Sequence, residues 1–214
     1  MDQLREFLNN RQPLFYNMKG YLVSAVLLPL LEVDGETQLL FEVRAQHLKR
    51  QPGEICFPGG RVEPDELDCP QLAAVRETCE EICVAKENIE LIGPLDYSIS
   101  PIGALIYPFL GRITIDELPA PNPDEVQEIF LAPLNFFLNA EPDQSKLEIG
   151  TRFSEDFPYH RLPKRYQPGW RHMGASPVYF YQYGDKLIWG ATAAILHEFL
   201  GIYRENIGSS PTGK

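Results

Sequence analysis

The stretch from residue 53 to residue 84 constrains this chain more than any other. A short strand, expected at 53–57, runs into Pro58-Gly59-Gly60, an acidic loop follows, and a helix is expected over about 69–84. Asp68 and Gln71 read as a capping box, and Pro70 is tolerable only in a first turn. Each helical residue advances by about 100°. With Leu72 at zero, Val75, Cys79, Ile82 and Cys83 share one arc, which should be the apolar face. Glu80, Glu77 and Glu81 fall at about 80°, 140° and 180°, on the opposite side. Like charges one turn apart repel. A hard divalent cation would offset that repulsion, because magnesium and calcium prefer oxygen ligands. The alternative is a solvated acidic helix face, which is common.

The two glycines weigh in favour of the cation. They permit backbone conformations closed to other residues and let a ligand approach the main chain, although an ordinary turn would use them too. Glycines followed by carboxylates in this order are what a metal-assisted phosphate site requires. Arg76, one turn before Glu80, is expected to pair with it and fix its orientation.

The rest of the chain reads as one mixed α/β domain over 1–214. A short amphipathic helix is expected at 2–10 and strands at 21–31 and 38–44, joined by an Asp34-Gly35 hairpin turn. Further strands are expected at 89–97, 104–115 and 126–131. Residues 134–174 carry few periodic signals. A second hairpin spans 178–183 and 186–189 around Gly184-Asp185, a final helix 191–203, and a frayed tail 208–214. Thirty acidic against nineteen basic residues give a formal net charge of −11, which argues against a nucleic-acid partner. The longest apolar run, residues 21–31, is too short to cross a membrane as a helix, which needs about 20 residues. The N-terminus lacks the basic-then-apolar pattern of a signal peptide, so the expected location is cytoplasmic and the four cysteines are expected to be reduced. They form no Cys-x-x-Cys pair, the usual structural-zinc spacing. Cys79 and Cys83 are expected to pack as small hydrophobes, and His197 to be structural. The oligomeric state is left open, with a homodimer as the one candidate.

Residues 59–84 resemble the Nudix box, the loop-helix signature of hydrolases that cleave nucleoside diphosphates linked to another group. Arg76, Glu77, Glu80 and Glu81 match its most specific part. The chain departs from the common form in three places: the loop between Gly60 and Arg76 is two residues longer, Thr78 replaces an aliphatic residue, and Cys83 replaces the closing glycine. Asp68 or another loop acid must then stand in for the usual loop glutamate. Upstream, Leu39-Leu40, Arg44-Ala45, Leu48-Lys49, Gly53 and Phe57-Pro58-Gly59-Gly60 are similar to the motif preceding the box in coenzyme A pyrophosphatases. Ile188-Trp189-Gly190-Ala191-Thr192-Ala193 is similar to that family's closing segment.

The resemblance implies a Nudix-type α/β/α sandwich with a mixed β-sheet. It also implies metal-dependent hydrolysis of the pyrophosphate bond of coenzyme A or acyl-coenzyme A, giving 3′,5′-ADP and (acyl-)4′-phosphopantetheine. Glu77, Glu80 and Glu81 would bind Mg2+ or Mn2+. Glu125, with Glu128 as a second candidate, would supply an acid from outside the helix. Arg44, Lys49 and Arg50 would meet substrate phosphates beside Gly59 and Gly60, and the basic, aromatic run 159–166 is a further candidate contact. Two alternatives stay open: a Nudix pyrophosphatase acting on NADH, ADP-ribose or dinucleoside polyphosphates, and a non-catalytic module that senses a nucleotide.

Overall fold

The computed structural model describes residues 2–9, 21–100 and 103–207; the expected tail at 208–214 lies outside them. Helix α1 (Asp2–Asn9) precedes β1 (Leu22–Val33), β2 (Glu36–Arg44), β3 (Ile55–Cys56) and β4 (Gly59–Arg61). Helix α2 (Gln71–Ile82) leads to β5 (Ile89–Pro94), β6 (Ser98–Ser100), β7 (Ala104–Ile113) and β8 (Val126–Pro133). Then come α3 (Leu134–Asn139), β9 (Asp143–Thr151), β10 (Arg171–Tyr183), β11 (Lys186–Trp189) and α4 (Gly190–Asn206). Asp34 and Gly35 both take positive φ, 52° and 79°, as a two-residue hairpin loop of the favoured twist requires.

Among the described residues one sheet holds eight strands, with β3-β2-β1-β7-β5 as its main path, β4 beside β1, β6 beside β7 and β8 beside β2. It is mixed: β1 runs parallel to β7 and antiparallel to β2 and β4. Strand β1 therefore forks. Its first half pairs with β4, Val26 opposite Gly59, and its second half with β2, Leu30 opposite Leu39. At the fork the Leu27 amide donates to the Pro58 carbonyl at 2.9 Å. A separate three-stranded sheet runs β11-β10-β9.

Side chains alternate between the faces of a sheet, and helices cover both faces. Ala25 and Leu27 of β1 pack with Ala73 and Ala74 of α2, and Leu40 of β2 packs with Ile82. On the opposite face Leu28, Leu39, Phe41 and Val43 pack with Ala193, Ile195, Leu196, Phe199 and Leu200 of α4. This is the α/β/α sandwich with a mixed sheet that the resemblance implied. The small side chains of Ala73 and Ala74, both fully buried, bring α2 close to the fork.

Candidate active site

Helix α2 presents a different face to the sheet than its apolar periodicity suggests. Its buried residues are Ala73, Ala74, Thr78, Glu81 and Ile82, while Leu72 is 48% exposed and Cys83 is exposed. The carboxylate arc is therefore partly turned inward. Thr78 satisfies its hydroxyl by donating to the Ala74 carbonyl at 2.7 Å, so a polar residue is tolerated where the box has an aliphatic one. The helix starts at Gln71 with Pro70 as its cap and no side-chain capping bond, so the Asp68 capping box does not form. At the other end Cys83 is the cap, in the left-handed region with φ 60° and ψ 38°. That conformation is why a glycine closes the usual box, and Cys83 occupies it rather than packing as a small hydrophobe.

Strand β4 holds the other wall. The Gly59 amide donates to Glu81 Oε2 at 2.8 Å. A Cβ at Gly59, whose φ is +153°, would lie 2.3 Å from the Ala25 carbonyl oxygen, and one at Gly60 would lie 2.4–2.6 Å from the Glu77 carboxyl atoms. Gly59 needs glycine because the backbone of β1 presses against it, whereas a side chain at Gly60 would displace the Glu77 carboxylate.

Arg76 is anchored by the loop. It donates to both Glu66 oxygens at 3.0 Å and to Glu77 Oε1 at 2.7 Å, while Glu80 lies at 3.6 Å. Its main partners are thus Glu66 and Glu77 rather than Glu80, and they hold its guanidinium well above its usual range. The Arg76 bonds in turn depress the Glu66 carboxyl. Glu66, not Asp68, is the loop acid at this place: the extra residues lie after it, so its distance from Gly60 is kept while its distance from Arg76 is not.

Glu125 reaches the helix from the loop before β8. Asn122 donates its amide to the Glu81 carbonyl at 2.9 Å and accepts from the amides of Glu125 and Val126. The Ala45 amide donates to the Glu125 carbonyl at 2.9 Å, and His47 contacts the Asp124 carbonyl at 3.1 Å. The result is a cluster in which ligand oxygens of Glu77, Glu81 and Glu125 lie within 4.8 Å of one another. Glu80, 54% exposed, stands outside this cluster, and Glu128 pairs with Lys186 at 2.8 Å. Burial raises the Glu77 carboxyl against the pull of Arg76. Burial first, then the charge of Glu42, pushes Glu81 up to about 9 despite its bond from Gly59. Three convergent, hard oxygen donors suit a small divalent cation.

Arg44 ends β2 beside the cluster, opposite Val126; Lys49 and Arg50 are exposed on the loop that follows. The 159–166 run lies beyond the Thr151–Arg171 end of the β9–β10 ladder, where Arg171 stacks over Phe153 and Tyr166. His197 accepts or donates with the Tyr181 hydroxyl at 2.9 Å and stacks on Tyr179. The closing segment touches the site from behind: Thr192 donates to the Ile55 carbonyl of β3 at 3.1 Å. Sequence reasoning missed Glu66, Asn122 and, most of all, Glu42. The signal for Glu42 is a lone carboxylate inside the otherwise apolar run Leu39 to Val43.

The family described as the NUDIX domain matches residues 21–149, the fork, helix and cluster together. The chain belongs to the Nudix family. The peroxisomal coenzyme A diphosphatase NUDT7 of Mus musculus is 38% identical over 136 residues, 64% of this chain and 56% of that relative's length. The Nudix hydrolase NudL of Enterobacter is 32% identical over 195 residues, 91% of this chain and 83% of that one. A MutT/nudix family protein from Enterococcus faecalis shares the fold, with a TM-score of 0.51, 15% identity, and coverage of 95% of this chain and 68% of that one. Membership places the chain among the Nudix pyrophosphohydrolases, enzymes that act with divalent metals on small nucleotide-derived substrates. No helix of the described residues is long and apolar enough to cross a membrane.

Proposed function

We propose that this Nudix protein hydrolyses the pyrophosphate bond of coenzyme A or acyl-coenzyme A, with Mg2+ or Mn2+ held by Glu77, Glu81 and Glu125. The observation that carries the chemistry is the convergence of those three carboxylates at the forked strand, against two glycines that leave no room for a Cβ. The relative named as a coenzyme A diphosphatase supports the substrate, as does the similarity of the Leu39–Gly60 stretch to the motif of coenzyme A pyrophosphatases.

The reaction adds water across one P–O–P linkage, so one phosphorus gains the hydroxyl and the other keeps the bridging oxygen. A bound cation would supply Lewis-acid stabilisation of the charge that builds on the phosphate oxygens. The chain's own residues do the remaining work. Gly59 orients Glu81 through its amide, Arg76 holds Glu77 in place, and the Asn122 turn brings Glu125 to both. Glu80, exposed at the rim, is the carboxylate we assign to the substrate side of the cation set. Arg44, Lys49 and Arg50 would meet the diphosphate and the 3′-phosphate, anions that an otherwise acidic surface repels.

Purified protein with Mg2+ or Mn2+ is incubated separately with coenzyme A, NADH, ADP-ribose and diadenosine polyphosphates, and products are separated by chromatography. Preferred release of 3′,5′-ADP from coenzyme A, lost in Glu81→Gln, is the expected result. Faster turnover of another substrate would keep the chemistry and overturn the substrate. Inertness toward all four with either metal would favour nucleotide sensing without hydrolysis.

A further inference from the structure

Glu42 sits in β2 on the face that carries the cluster. Parity along the strand sets this. Leu39, Phe41 and Val43 pack on the α4 side, whereas Leu40 packs on Ile82 of α2, and Glu42 follows Leu40 by two residues. Its side chain is fully buried, at 0% exposure. Oε1 accepts from Cys56 Sγ at 3.1 Å, across the register pair Glu42–Cys56 of β2 and β3. Oε2 is buried and has no hydrogen-bond partner among the described residues.

A buried carboxylate oxygen without a donor is costly, and a native protein that keeps one calls for an explanation such as an ion. The surroundings deepen the problem. Arg44 acts on Glu42 with opposite charge, while Glu125 and Glu77 both press on it with like charge. Seen from Glu81, Glu42 is the strongest neighbouring charge. Cys56 cannot relieve this, since burial and the Glu42 charge both keep its thiol protonated and its one weak donor is already used. Glu42 adjoins from the sheet the cluster of Glu77, Glu81 and Glu125, standing outside the 4.8 Å set that those three form and acting on it by charge.

We propose that Glu42 is a fourth carboxylate ligand of the divalent-cation site, reaching it from the sheet with Oε2. The inference rests on the cation reading of Glu77, Glu81 and Glu125 given above and extends it to a residue outside the box helix. Glu42 is then a metal-binding residue of the floor of the cleft, its other oxygen already taken up by the weak Cys56 thiol donor.

The test is Mn2+ binding to the full chain without nucleotide, followed by electron paramagnetic resonance of the free ion. Thermal unfolding is measured in parallel in a chelator. Glu42→Gln is expected to weaken Mn2+ binding tenfold or more while its unfolding midpoint in the chelator stays at or above that of the unsubstituted protein. Glu42→Asp, which keeps the charge but withdraws it by one methylene, is expected to weaken binding as well and serves if the glutamine variant does not fold. Cys56→Ala is expected to bind Mn2+ within a few-fold of the unsubstituted protein. Unchanged Mn2+ affinity in both Glu42 variants, alongside a loss in Glu81→Gln, would overturn the role of Glu42 and leave the three-carboxylate site standing. A loss in Cys56→Ala as large as in Glu42→Gln would also overturn it, by assigning the effect to packing of the pair. Unchanged affinity in Glu81→Gln as well would remove the cation site itself.

Discussion

The two faces of the sheet are covered by helices of opposite character. Helix α4 buries Ala193, Ile195, Leu196, Phe199 and Leu200 against an aromatic group in which Phe41 stacks on Phe57 at 4.8 Å and on Phe130 at 5.3 Å. Each buried leucine, isoleucine or phenylalanine here contributes roughly 1.5–3 kcal/mol by leaving water. Helix α2 buries two alanines, a threonine, a glutamate and one isoleucine, above a second buried glutamate in the sheet. Burying charge costs stability unless it is paired. The α4 face therefore holds the fold together, and the α2 face uses part of that stability to keep carboxylates crowded and dry. The difference teaches where the protein tolerates change: the α4 face through volume, the α2 face through charge.

The sharpest way to break the contrast is on the α4 face. Phe41→Ala is expected to destabilise by about 3–5 kcal/mol, by the same amount with Mg2+ as with a chelator, in urea unfolding. A cation-dependent loss would show that the two faces are coupled. Next in size, Glu81→Gln should lower hydrolysis on the order of 10²–10³-fold, about 3–4 kcal/mol on the barrier. It should leave the metal-free unfolding midpoint unchanged or higher; a fall in that midpoint would mean Glu81 supports the fold.

The third test is a slope with pH. In the folded, metal-free protein Glu81 and Glu42 hold protons up to about 9 and about 7, whereas their ordinary value is 4.5. Above that value the folded state binds more protons than the unfolded chain, so stability falls as pH rises. The unfolding midpoint in a chelator should decline from pH 5 through 7 toward 9, and saturating Mn2+ should flatten the decline. A midpoint that rises with pH would contradict the buried-carboxylate reading. The smallest effect lies at the end of α2. Cys83→Gly relieves the left-handed conformation and should stabilise by about 1 kcal/mol, a gain of roughly 2–4 °C; a lower midpoint would show that the side chain is needed there.

Much of this was legible in the sequence. The Asp34-Gly35 turn, the strands around it and the final helix all follow from strong local signals. Strand β9 was not legible: eight of its nine residues are exposed, so burial leaves no alternation to detect. Strands β4 and β6 have three residues each, too few for a period. The face of α2 was misjudged for a related reason. Leu72 and Val75 carry more apolar weight than Ala73 and Ala74, yet close approach to the fork selects the small residues.

The sequence by itself determined the family, the order of the main strands and helices, and the glycines and glutamates of the box, because residue type and spacing are local properties. Only the tertiary structure decided that Glu66 is the partner of Arg76, that Glu125 joins Glu77 and Glu81 while Glu80 stays at the rim, and that Glu42 lies buried beneath them. The Glu66–Arg76 pair, ten positions apart, depends on how the loop between them folds; the other choices depend on which segments meet across the fork of β1, and contact between distant residues leaves no mark in the spacing of either.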